Sequence, residues 1–261
     1  MKSKRAKGSE VAEIRVITEA APRVFAFGDI HGCNAELNVL LNALRGEHHV
    51  TQADHFVFIG DYIDRGPDSK GVIDTLLAWK SEFPRTTFLK GNHEDMLLGF
   101  LGMGGNSGDV YLVNGGAEFF RSYGIEPTGP LSEVSKSLPR DHLNFFTSLE
   151  LGVSIGEFLF VHAGVNPERG LNDQRARDLM WIRGDFIPVE HKLGKTVVFG
   201  HTPFADVMLH MPFKIGIDTG LVYGNLLSAV ELVEGTAFQV DRGGDQVTVS
   251  SLRDRLNSGS E

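Results

Sequence analysis

Six residues of metal-binding chemistry, Asp29, His31, Asp61, Asn92, His162 and His201, lie in five short polar stretches, each just behind an apolar run. The stretches are Gly28-Asp29-Ile30-His31-Gly32, Gly60-Asp61-Tyr62-Ile63-Asp64-Arg65-Gly66, Gly91-Asn92-His93-Glu94, His162-Ala163-Gly164 and Gly200-His201-Thr202-Pro203. Carboxylate and imidazole both suit divalent first-row metals, so Asp29 and His31, two apart on a loop, can turn onto one cation. Asp61 follows as an oxygen ligand able to bridge two ions, and Asn92, His162 and His201 would complete a second site of mixed N and O donors. A pair of cations can clamp an attacking water and phosphoryl oxygens, and lowers the pKa of the water. The same stretches hold a spare His93, Asp64 and Arg65. A protonated His93 could pass a proton to a leaving oxygen while Asp64 holds its orientation. Arg65 offers a planar fork for phosphate oxygens.

These residues can meet only if the chain folds to bring them together, and the runs before them say how. Arg23–Phe27, His55–Ile59, Thr86–Leu89, Phe158–Val161 and Thr196–Phe199 are short apolar, β-branched or aromatic runs closed by a turn residue, which reads as buried strand. Between them, Asn34–Arg45 spaces Leu37, Leu40, Leu41 and Leu44 at helical intervals, and Ser69–Trp79 does the same with Val72, Ile73, Leu76 and Leu77. Strands alternating with helices predict a layered α/β fold. In such folds the loops at the carboxyl ends of strands gather at one edge, where ligands bind. All five stretches hold that position.

Taken in order, the five stretches resemble the signature set of the phosphoprotein-phosphatase branch of the calcineurin-like metallophosphoesterases, and specifically its bacterial members, from about Val24 to about Leu232. The resemblance implies a layered β-sandwich flanked by helices, with the metal site at strand carboxyl ends. It implies that Asp29, His31 and Asp61 hold the first metal and Asp61, Asn92, His162 and His201 the second. His93 would be the general acid, paired with Asp64. Arg65 would bind the substrate phosphate, joined by Arg183 of Trp181-Ile182-Arg183. The implied mechanism is direct attack by metal-bound water, with no phosphoenzyme. Manganese is the metal the family implies, while donors without thiolate also accept Fe, Zn or Co. His-Ala-Gly matches bacterial members where eukaryotic ones have His-Gly-Gly. The eukaryotic Asn-Tyr-Cys stretch is missing, and Gly216-Ile217-Asp218-Thr219-Gly220 occupies that region. The single histidine of Gly-His-Thr-Pro, together with Asp64-Arg65-Gly66, favours monoester hydrolysis over the diesterases of the wider superfamily.

The remaining polar residues have plainer readings. Glu94 starts a helix, where a carboxylate favours the positive end. Asp218 sits in a tight Asp-Thr-Gly turn and reads as structural. His48, His49, His55, His142, His191 and His210 lie outside ligand-like spacing, and Cys33 is a small buried filler. That lone cysteine excludes an intramolecular disulfide framework and fits a reducing, cytoplasmic setting. No transmembrane run appears, and Met1–Lys7 is basic with no apolar run behind it, which predicts a disordered tail rather than a signal peptide. The formal net charge of -9 omits two bound dications, so the field at the site can oppose it. No basic stripe supports nucleic-acid binding, and nothing indicates a membrane partner.

The 261 residues read as one domain over 21–241, with a tail and lead-in at 1–20 and a polar tail at 242–261. Residues 99–148, with their glycine-rich Gly102–Gly108, are expected to form a cap or rim that sets substrate choice. The expected function is hydrolysis of phosphoserine, phosphothreonine or phosphotyrosine in proteins, with a phosphoprotein or phosphopeptide as partner. The rivals are a symmetrical dinucleoside-tetraphosphate hydrolase and a non-catalytic phosphate-binding scaffold.

Overall fold

A computed structural model of the chain describes residues 11–127 and 131–258. Among the described residues, twelve strands form two six-stranded mixed sheets. In chain order they are β1 (Arg15–Ile17), β2 (Val24–Phe27), β3 (His55–Phe58), β4 (Thr86–Phe88), β5 (Gly152–Ile155) and β6 (Phe158–Val161). Then come β7 (Thr196–Phe199), β8 (Met208–His210), β9 (Lys214–Gly216), β10 (Leu226–Glu231), β11 (Thr236–Asp241) and β12 (Thr248–Ser251). One sheet runs β1-β5-β6-β7-β9-β8 and the other β12-β11-β10-β2-β3-β4. The helices are α1 (Asn34–Gly46), α2 (Ser69–Glu82), α3 (Asn92–Phe100), α4 (Gly116–Tyr123), α5 (Leu131–Lys136), α6 (Arg140–Thr147), α7 (Ala176–Trp181) and α8 (Leu252–Ser258).

Alternation along the strands builds the layers, because successive side chains point to opposite faces. Val24, Ala26, Val57 and Ile59 join Phe160, Val198 and Ile215 of the other sheet in the apolar layer between the sheets. Phe25, Phe27, Phe56 and Phe58 point the other way, onto Leu37, Leu40, Val72, Leu76 and Trp79 of α1 and α2. Facing rings stack there: Phe27 and Phe58 have centroids 4.1 Å apart. Leu159, Val161, Val197 and Phe199 cover the outer face of the first sheet with Leu179 and Phe186. The expected β-sandwich flanked by helices is the fold observed.

β2, β3 and β4 pair in parallel, joined by α1 and α2, and β6 pairs in parallel with β7. Their carboxyl ends therefore share one edge of the sandwich, as the strand readings require. The flanks differ from expectation. Arg15–Ile17, placed in the lead-in, pair in parallel with β5. Thr248–Ser251, placed in the polar tail, pair with β11, and Leu252 behind them is buried. Edge strands with one solvated face carry too little apolar signal to read as strands. The basic Met1–Lys7 segment lies outside the described residues.

Much of the 99–148 segment packs within the fold. Phe119, Phe120, Phe145 and Phe146, from α4 and α6, belong to the helical layer over the second sheet. Among the described residues of this segment, Tyr111 and Gly115 hydrogen-bond to the site, at Asp64 and Arg65. Among the described residues, no helix is long and apolar enough to cross a membrane.

Candidate active site

The loops behind β2, β3 and β4 are stitched together through their backbones. Ile30 and His31 N–H groups donate to the Asp61 carbonyl at 3.1 and 2.9 Å, and Gly32 N–H to the Tyr62 carbonyl at 2.8 Å. The Glu94 carboxylate, fully buried, accepts from Asp61, Tyr62 and Gly91 N–H at 3.0, 2.9 and 3.0 Å. Glu94 therefore does more than start α3: it clamps two loops. Burial and the charge of Asp61 push it up to about 8, against three donors that favour the carboxylate. Gly91 has to be glycine, since a Cβ there would collide with the Asp61 carboxylate.

The backbone is strained where the chemistry lies. Seven described residues other than glycine have positive φ, and five of them are His31, Asp61, Asp64, Arg65 and His201. Such a conformation costs on the order of 1–3 kcal/mol and persists only where the surroundings enforce it. It turns His31, Asp61, Arg65 and His201 into one small pocket of about 90 Å³, lined also by Asn92, His93, Arg183, Pro203, Asp218 and Tyr223, while Asp64 sits behind His93.

The donor set fits divalent cations. Ligand atoms of Asp61, His162 and His201 lie within 4.8 Å of one another, as do those of His31, Asp61 and His93. His31 Nδ1 donates to the Ile63 carbonyl at 2.8 Å, leaving the Nε2 lone pair toward Asp61, whose Oδ2 is 3.5 Å away. His162 Nδ1 likewise donates to the Ile59 carbonyl at 3.0 Å. Its Nε2 faces Asn92 Oδ1 at 3.0 Å and Asp61 Oδ1 at 3.4 Å. Three acceptors converging there demand a positive charge, either a proton or a cation. Burial opposes a proton on His162, yet the charge of Asp61 and a hydrogen bond to it hold the imidazole above its usual value. Burial pushes His31 down to about 3 and His201 to about 2, so both offer neutral lone pairs.

Asp29 joins them from β2, its carboxylate accepting from His201 N–H at 3.1 and 3.3 Å. Burial, then the charges of Asp218 and Asp61, raise Asp29 well above the carboxylate range. A bound dication would relieve this crowding of buried carboxylates.

Beside this set lies a proton-transfer pair. His93 Nδ1 and Asp64 Oδ2 are 2.6 Å apart, and both side chains are buried. Burial pushes His93 down to about 4 and raises Asp64, so both tend to the neutral form and the pair shares a proton across the contact. His93 N–H donates to Asp61 Oδ1 at 3.1 Å, which ties the pair to the candidate bridging carboxylate. Two guanidinium groups reach in from opposite sides: Arg65 NH1 lies 2.9 Å from His31 Nε2, and Arg183 Nε donates to His201 Nε2 at 2.9 Å. Lys214, buried within β9, holds the loop behind Arg183 by donating to the carbonyls of Phe186 at 2.7 Å and Val189 at 2.5 Å.

Residues 22–232 match the model of the calcineurin-like phosphoesterase family. The chain belongs to that family. Serine/threonine-protein phosphatase 1 of Salmonella typhimurium is 38% identical over 217 residues, spanning 80% of this chain and 91% of that protein. The asymmetrical bis(5'-nucleosyl)-tetraphosphatase PrpE of Oceanobacillus iheyensis is 28% identical over 239 residues, spanning 81% of this chain and 89% of that one. A solved structure described as a candidate diadenosine tetraphosphatase has a similar fold, with a TM-score of 0.65 over 88% of this chain and 98% of that one at 24% identity. This calcineurin-like phosphoesterase therefore has relatives consistent with the phosphoprotein-phosphatase branch.

The structure brings all ten sequence-derived site residues of this phosphoesterase into one region, and adds three. Asp218, read as structural, lines the pocket, and burial raises it to about 6. A signal existed, because it follows β9 just as Asp29 and Asp61 follow β2 and β3. Tyr111 donates its hydroxyl to Asp64 Oδ1 at 2.7 Å. Tyr223, 65% exposed, stands at the pocket rim with the Arg65 guanidinium 5.6 Å from its ring centre. Neither tyrosine has a spacing that marks it. Cys33 is buried, and burial pushes its thiol up to about 12.

Proposed function

We propose that this chain is a metal-dependent phosphatase acting on phosphomonoesters, with phosphoserine and phosphothreonine in proteins as its main substrates and phosphotyrosine as a further one. The observation that carries the reading is the convergence of a buried His93–Asp64 pair and two guanidinium groups on the pocket lined by His31, Asp61, Asn92 and His201 of the candidate metal ligands. Asp29, His31 and Asp61 would hold one divalent cation, and Asp61, Asn92, His162 and His201 a second, with manganese the first choice and Fe, Zn or Co compatible. Such cations supply Lewis-acid polarisation of the phosphoryl group and a lower pKa for an attacking water. Arg65 and Arg183 orient the phosphoryl oxygens. Water forms the new P–O bond as the bond to the seryl oxygen breaks; His93 passes its proton to that oxygen from Nε2 while Asp64 holds Nδ1, and the proton the water sheds, exchanged through solvent, restores His93. The pocket of about 90 Å³ suits a single phosphoryl group, with the rest of a phosphopeptide lying outside. A non-catalytic scaffold has no use for a buried proton-transfer pair. The Salmonella phosphatase similarity supports the protein substrate.

A second reading is hydrolysis of dinucleoside tetraphosphates, favoured by the PrpE relatives and by Tyr223, an exposed aromatic on which a base could stack. Those relatives are named for asymmetrical cleavage, which favours that form of this rival over the symmetrical one. The test restores manganese to metal-stripped protein and compares kcat/KM for a phosphoserine peptide and diadenosine tetraphosphate, with His93→Asn as the blank. A preference for the peptide supports the phosphatase. A preference for the dinucleotide overturns the substrate while leaving the site; ATP plus AMP as products marks asymmetrical cleavage, and ADP alone marks symmetrical.

A further inference from the structure

The His93–Asp64 pair has an outer partner. Asp64 spends Oδ2 on His93, and its Oδ1 accepts from the Tyr111 hydroxyl at 2.7 Å. Burial, reinforced by the nearby Asp64 charge, keeps the Tyr111 phenol protonated, so it can only donate here. Its ring is fully buried against Phe100, Phe119 and Phe120, with centroids 5.6, 6.4 and 6.1 Å away, which fixes the hydroxyl from the helical layer. The same short stretch braces Arg65, whose N–H donates to the Gly115 carbonyl at 3.2 Å. Gly115, at φ 104°, lets the chain pass so close that a Cβ would strike the Arg65 side chain. Asp64 and Arg65 are consecutive residues at φ 73° and 66°, a costly backbone that needs external support.

We propose that Tyr111 is a positioning residue for the His93–Asp64 pair, with the Tyr111–Gly115 stretch holding the strained Asp64–Arg65 turn from outside. This rests on the phosphatase reading, in which His93 protonates the leaving oxygen. Tyr111 touches no reacting atom; it fixes the Asp64 carboxylate plane and, through it, the direction of the His93 Nε2 proton. The Tyr111–Gly115 stretch thus tunes proton delivery.

General acid catalysis matters most where the leaving oxygen is most basic. The experiment therefore measures kcat and KM for a phosphoserine peptide and for p-nitrophenyl phosphate in manganese-loaded wild type, Tyr111→Phe, His93→Asn and the double variant, with metal content checked in each. Loss of one hydrogen bond predicts up to about a tenfold fall in kcat on the peptide for Tyr111→Phe. The fall on p-nitrophenyl phosphate should be under about threefold, since its good leaving group needs little protonation. KM and metal content should hold, and Tyr111→Phe should add nothing to His93→Asn. Equal losses on both substrates, altered metal content, or full additivity with His93→Asn would overturn the positioning role alone. Near-wild-type peptide turnover by His93→Asn would overturn the acid, and the positioning role with it.

Discussion

The two ends of the sandwich differ in kind. At the amino ends of β2, β6 and β7 lies a cavity of about 650 Å³, lined by Val16, Ala21, Val24, Ile155, Phe158 and Leu232 among others. At the carboxyl ends the pocket is about 90 Å³. The larger cavity contains none of the seven non-glycine residues with left-handed backbone, and the smaller gathers five of them in or beside its wall. Volume is inexpensive for a fold, whereas strained backbone and facing buried carboxylates cost free energy and persist only where something else requires them. The size of a cleft is thus a poorer guide to chemistry here than the cost of its walls.

That contrast breaks first at Asp61, which faces both halves of the candidate metal set through its two oxygens. Asp61→Asn is expected to lower the occupancy of both metals together. With each cation worth several kcal/mol, turnover should fall by about four decades or more. Metal analysis checks it: a variant holding both ions at full occupancy refutes the bridging role. His93→Asn comes next, keeping its metal while losing roughly two to four decades of kcat.

Asp218 sharpens the contrast on the stability side. Burial raises its carboxyl from 3.8 to about 6, so in metal-free protein its charge opposes folding above about pH 6, and the penalty disappears as pH falls through 6 toward 3.8. Asp218→Asn should therefore stabilise metal-free protein at pH 8, by an amount on the order of 3 kcal/mol, and leave it little changed near pH 4. Denaturant unfolding at the two pH values decides it, and equal effects would contradict the buried-charge account. At the far end, Val16→Thr should change kcat by less than about twofold and stability by about 0.5 kcal/mol or less. A larger fall in turnover would show that the larger cavity matters after all.

The frame of this site was legible because its strands are buried on both faces and read as short apolar, β-branched or aromatic runs, each with a ligand-type residue within a few positions behind. Arg183 was legible only through its neighbour Trp181, by resemblance. Asp218 was hidden because its strand is three residues long and begins with Lys214, a buried cation serving loop carbonyls. Tyr111 was hidden because its partner Asp64 is 47 residues away and nothing local marks the pairing. The positive φ values of His31, Asp61 and His201 leave no trace in residue type, since each is enforced by contacts made elsewhere in the fold.

Metal stoichiometry bears most directly on the central claim, that the carboxyl-end pocket is a two-cation hydrolytic centre. Manganese would be titrated into metal-stripped protein while bound metal and phosphoserine-peptide turnover are followed on the same samples. The account predicts close to two ions per chain, with activity rising as the second fills and both effects absent in Asp61→Asn. Turnover that survives complete stripping, or two ions bound equally well by Asp61→Asn, would contradict it.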